Sequence, residues 1–143
     1  MYERILVPTD GNDRAEAAME EAMALAEAAD ATVHVLHVIN SRRYDTSIDS
    51  ATEPLRERGD RYVDKLVEVA DGADTPLVTA IEIGRPAQQI LEYAAGNEIN
   101  LIVMGTRGRG GLPGRLLGSV TNYVVTHADV PVHVVPSPDR SDT

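Results

Sequence analysis

The chain has 143 residues, 23 of them acidic and 13 basic, for a formal net charge of −10. It contains no cysteine, which excludes disulfides and thiolate metal sites, and its acidic excess argues against general nucleic-acid binding, which needs a basic face. No apolar stretch approaches bilayer-spanning length and none opens the chain as a signal segment, so one soluble cytoplasmic domain over residues 1–143 is expected.

Arg4-Ile5-Leu6-Val7 reads as a short buried strand, ended by Pro8-Thr9-Asp10-Gly11. Asn12 or Asp13 then caps a helix, with Glu16 placed three residues after Asp13 as in a capping box, and that helix runs to about Ala29. Thr32 to Ile39 is the second strand, and polar residues 40–53 read as a surface loop. An amphipathic helix then runs to about Ala70, with Leu55, Tyr62, Val63, Leu66, Val67 and Ala70 inward. Leu77 to Ile83 alternates like a strand near a sheet edge. Gly84-Arg85-Pro86 starts a third helix that Gly96-Asn97 stops. Leu101 to Met104 is apolar throughout, as a strand buried on both faces must be. A last helix over roughly 115–127 and a last strand within Val130–Pro136 complete the pattern, leaving 137–143 as a frayed tail.

Strands alternating with helices imply a parallel sheet with helices on both faces. Ligands of such sheets bind at the carboxyl ends of the strands, where the strand order reverses. If the first strand neighbours the fourth, the turn at Pro8-Thr9-Asp10 faces the loop Gly105–Gly114 across a crevice.

Lys65 is the only lysine among the basic residues. An acid-rich surface nearly free of lysine points to a host with a high-salt cytoplasm, the alternative being an ordinary acidic protein of a GC-rich genome. Against this background residues 99–128 hold no aspartate or glutamate, where an even spread would put about five. They hold six glycines and three arginines. A strand, a glycine-rich turn and a helix start, cleared of negative charge, suit an anionic ligand: amides point at it and the helix dipole favours it. Neither familiar nucleotide signature is present. The P-loop needs a lysine before Ser/Thr, and the dinucleotide fingerprint needs its glycines after the first strand, where only Gly11 stands. The fourth strand instead leads into Gly105, two residues, Gly108, nine residues, then Gly118-Ser119. Gly105 would let a ligand press against the backbone, Gly108 would supply the positive φ of an anion nest, and Gly118, early in a helix, would leave room for phosphate.

With these residues the chain resembles the ATP-binding branch of the universal stress protein family over nearly its whole length. The resemblance lies in Ile5-Leu6-Val7-Pro8-Thr9-Asp10, His37-Val38-Ile39, Leu101 to Gly108, Leu117-Gly118-Ser119-Val120 and Pro131 to Pro136. It implies a three-layer, Rossmann-like α/β fold with an open five-stranded parallel sheet in the order 3-2-1-4-5. It implies ATP (or ADP or AMP) as ligand, with Mg²⁺. Pro8, Thr9, Asp10 and Val38 would surround adenine and ribose, and Met104 and Gly105 would line them. Gly108, Gly118, Ser119 and Val120 would hold the phosphates. It further implies a homodimer through the closing strand, Val132–Val135, with an unknown protein partner.

Asp10 would reach a metal only through water, and no protein residues alone are expected to ligate one. Arg107, just after Gly105, is the arginine placed to meet phosphate, against the plain reading of a solvated loop charge. His34 and His37 read as structural, and Ser119 has no paired base, so no catalytic residue is assigned. Two functions compete: a nucleotide-dependent regulatory module of a stress response, and a slow Mg-dependent ATPase. Hydrolysis needs an oriented water, and no histidine, glutamate or glutamine stands out for that task, which favours binding. Membranes and nucleic acids are not expected as partners.

Overall fold

The computed structural model describes residues 2–44, 49–106 and 117–136. Its elements are β1 (Arg4–Thr9), α1 (Arg14–Ala29), β2 (Thr32–Asn40), α2 (Asp49–Val69), β3 (Leu77–Gly84), α3 (Pro86–Gly96), β4 (Leu101–Gly105), α4 (Ser119–His127) and β5 (Val132–Val135). The five strands form one all-parallel sheet in the order β3-β2-β1-β4-β5, as expected.

The strands' period of two builds two cores. Ile5, Val7, Val33, Val35, Leu101 and Val103 face α1 and α2, while Leu6, Leu36, Val38, Ile102 and Met104 face α3 and α4. Helix α1 presents Ala15, Ala18, Met19, Ala22, Met23 and Ala26 to the sheet, so its backbone lies close to the strands. β4 is buried on both faces, and β3 lies at an edge, exposing Val78.

Several boundaries differ from the sequence expectation. β1 runs two residues further, through Pro8 and Thr9, because it stays paired with β2 to the register Thr9↔His37. The capping box does not form: Asp13 makes no side-chain cap bond and instead accepts from Lys65 Nζ at 2.6 Å. The Asn12 side chain caps in its place, its Oδ1 accepting from the Arg14 amide at 3.1 Å. Part of the expected loop 40–53 is helical, since α2 begins at Asp49 with Pro54 inside it. The last helix starts at Ser119 rather than near 115, with Gly118 as its N-cap. The last strand excludes Val130 and both flanking prolines. The tail 137–143 lies outside the described residues.

His34 and His37 both serve the fold. His34 is buried, its Nδ1 lies 2.7 Å from Tyr93 Oη, and the two rings meet edge to face. Burial first, and then the charge of Arg4, lowers its pKa below the ordinary 6.5. The fold therefore holds the neutral ring, while the unfolded chain takes up a proton near 6.5, so stability is lost as pH falls below that value. Urea midpoints between about pH 7 and 5 should accordingly decline less steeply in His34→Asn than in the parent. Equal slopes would show that His34 carries none of the dependence.

Asn100, which stands before β4, ties the strand ends together. Its Oδ1 accepts from the amides of Glu3 at 2.7 Å and Arg4 at 2.6 Å. Only an acceptor oxygen is used there, and an aspartate would supply the same one.

Candidate functional site

β1 and β4 part company halfway along. Their register covers only Ile5↔Leu101 and Leu6↔Ile102, after which β1 continues with β2 and β4 continues with β5 to Gly105↔Val135. Pro8 sits just past the split, where its missing N–H removes a bond that would otherwise close the seam. This is the point at which the strand order reverses, and a crevice of about 450 Å³ opens there. That volume lies within the usual range for small-molecule sites, about 300–1,000 Å³.

Pro8, Thr9 and Asp10 form the rim at the end of β1, and Val38 stands at the end of β2. The turn after β1 holds itself in place. Thr9 Oγ1 accepts from the Gly11 amide at 3.1 Å, and Asp10 Oδ1 accepts from the Asn12 amide at 3.0 Å. Gly11 has φ +90°, and a Cβ there would lie 2.5 Å from the Tyr62 ring, so only glycine fits. His37 Nδ1 lies 2.9 Å from the Thr9 carbonyl, which can only accept, so that nitrogen carries the proton. The same ring meets Tyr62 edge to face, with 5.2 Å between centroids.

Met104 and Gly105 form the opposite wall, with Gly118, Ser119 and Val120 beside them. Thr121 Oγ1 donates to Gly105 O at 2.9 Å and the Gly118 amide donates to Thr106 O at 2.8 Å, which fixes the start of α4 to the end of β4. The first helical bond of α4 runs from the Asn122 amide to Gly118 O at 2.9 Å. The amides of Ser119, Val120 and Thr121 precede it, the N-cap Gly118 offers them no side chain, and the first turn holds no acid. This is the donor set and dipole end that an anion needs.

Nine of the eleven residues singled out from the sequence thus line one crevice; Arg107 and Gly108 lie outside the described residues. The surroundings of two glycines there differ from the expectation. A Cβ on Gly105 would come within 3.3 Å of Arg14 Cβ and O, a tight contact that the approach of α1 imposes on the wall side of the crevice. Gly118 is not inside the helix; its φ of −65° and ψ of 161° are open to any residue.

The crevice also takes residues that sequence reasoning did not assign to it. Leu55, Arg58 and Tyr62 reach it from α2, and Arg43 from the segment after β2. Leu55 and Tyr62 belong to the inward stripe of that helix, and Arg58 falls between them at helical spacing, which is the one signal the sequence offers. Asp10 is the one carboxylate among the described lining residues. No group of three or more His, Asp or Glu able to hold a metal comes together among the described residues.

An open, doubly wound parallel sheet with a crevice at its switch point defines a Rossmann-like α/β protein. The profile of the universal stress protein family matches residues 1–136, and the chain belongs to that family. It is 34% identical to universal stress protein MJ0531 of Methanocaldococcus jannaschii over 98% of this chain and 85% of that protein. The solved universal stress protein UspA from Lactobacillus plantarum is 34% identical, with a TM-score of 0.78 over 94% of this chain and 97% of that one. Two more distant structures share the fold. A universal stress protein in complex with cAMP is 24% identical, with TM-score 0.68 over 94% of this chain and 97% of that one. One from Archaeoglobus fulgidus in complex with dAMP is 21% identical, with TM-score 0.72 over 93% and 97%. No helix among the described residues is long and apolar enough to cross a membrane.

Proposed function

We propose that this protein is a nucleotide-binding regulatory module of the stress response that takes an adenine nucleotide into the crevice between β1 and β4. The observation that carries this reading is the glycine-capped, acid-free N-terminus of α4, anchored against the end of β4 and opening into the crevice. Pro8, Val38 and Met104 offer apolar surface to a base, and Asp10 is within the same rim for a ribose. The amides of Ser119 and Val120 and the Ser119 hydroxyl would hold phosphate, with Arg107 and Gly108 completing the loop in the family's pattern. The adenine nucleotides in two fold relatives agree with this choice of ligand. ATP, ADP and AMP all suit the site, and a Mg²⁺ ion would ride on the phosphates with Asp10 reaching it through water.

Binding, not turnover, is the role these residues support. With Mg-ATP the protein should release ADP far more slowly than the roughly 1–10³ s⁻¹ of ordinary enzymes. Multiple turnovers each second would make it an ATPase instead.

The state of the crevice would be relayed through a homodimer, formed by β5, in an intracellular protein. β5 is a short edge strand with one neighbour, and its Val134 pairs with Met104 of the crevice wall. Val134→Lys should therefore give monomers in light scattering; an unchanged dimer would move the interface elsewhere.

A further inference from the structure

The crevice is larger in chemistry than a simple nucleotide requires. At the α4 end it offers the first amides of a helix whose N-cap is Gly118. On its other side, from α2 and the segment after β2, Arg58 and Arg43 line the same cavity. β2 and β4 flank β1, so these two ends stand about 10 Å or more apart at ordinary strand spacing. Neither guanidinium has an ion pair or a side-chain hydrogen bond among the described residues. The acids of α2 from Glu53 to Asp64 do not serve them, because Glu53, Glu57, Asp60 and Asp64 all face solvent while Arg58 is half-buried on the stripe between Leu55 and Tyr62. Among the described lining residues, two arginines, Arg58 half-buried and Arg43 exposed, stand against the single carboxylate of Asp10, in a chain of net charge −10. A nucleotide whose phosphates all lie at α4 gives these arginines nothing to bind.

The placement of Tyr62 shows which part of a ligand they would meet. Its ring closes against Gly11, next to Asp10, and Arg58 lies one helical turn away on the same face. Resting on the nucleotide reading above, with Asp10 at the ribose, we propose that the resident ligand is an adenosine nucleotide carrying a second phosphate on its ribose, at the 2′ or 3′ oxygen. Arg43 and Arg58 hold that phosphate. Guanidinium is suited to the task, since its planar fork pairs with phosphate oxygens.

AMP and the adenosine 3′,5′- and 2′,5′-bisphosphates share one 5′-phosphate, so calorimetry on the full chain reads the added ribose phosphate alone. One bisphosphate should bind about tenfold or more tightly than AMP, as expected for added charge-assisted contacts. The better isomer identifies the oxygen. In the Arg43→Gln, Arg58→Gln double variant that ratio should fall to within about twofold of one. AMP binding as tightly as both bisphosphates would overturn the second phosphate and leave the nucleotide crevice standing, as would a ratio that survives the double substitution. Failure of all three compounds to bind would overturn both.

Discussion

Replacing Gly118 with valine should reduce nucleotide affinity about a hundredfold or more while the protein keeps its fold. The backbone at 118 is extended, in a region valine favours, so no strain accompanies the change. Gly118 is the N-cap of α4, and losing a good N-cap costs about 1 kcal/mol. The binding loss has a different origin. A branched side chain at the mouth of α4 would displace an anion from the amides of Ser119 and Val120. A charge-assisted hydrogen bond contributes about 1.5–3 kcal/mol, and two lost bonds reach the hundredfold scale. Calorimetry gives the affinity and a thermal melt the stability. Unaltered affinity in a folded Gly118→Val protein would place the phosphates elsewhere.

Leu6→Ala should be the most damaging single truncation for stability. Leu6 is fully buried at the centre of β1, paired with His34 on one side and with Ile102 on the other. It is also the last residue of β1 in register with β4, so it closes the seam directly below the crevice. Truncations of this kind cost about 2–5 kcal/mol, a large part of a typical total of about 5–15 kcal/mol. A fall in melting temperature of about 10 °C is expected at this chain length. Nucleotide at about a hundredfold excess over its Kd should restore about 2.7 kcal/mol, since it binds only the folded chain. A loss below about 1 kcal/mol would mean that the seam relaxes around the missing side chain.

The fold is legible in the sequence because its pattern is written at two periods. Strand residues alternate between two cores, and β4, buried on both faces, shows an unbroken apolar run. The boundaries are less legible where a tertiary contact decides them. Asp13 has the spacing of a capping box, but Lys65 takes its carboxylate, a contact 52 residues away that local reasoning does not contain. The start of α2 is hidden by Pro54, which reads as a helix start yet sits within the helix. Around the crevice, the β1 turn and the Gly118-Ser119 pair are visible because glycine, hydroxyl and absent acids leave a compositional trace. Arg43 leaves none and Arg58 only its helical spacing between Leu55 and Tyr62, since an arginine facing a cavity is spelled like one facing water. The tight contact between Gly105 and Arg14 is equally invisible, because it depends on how closely α1 passes.

The most direct measurement is a crystal structure of the full chain grown with millimolar ADP. Adenine and ribose density is expected between Pro8-Thr9-Asp10 and Met104, with the β-phosphate within hydrogen-bond distance of the Ser119 and Val120 amides. ADP bound elsewhere, or that crevice closed by the protein's own side chains at full ligand occupancy in solution, would contradict the nucleotide site.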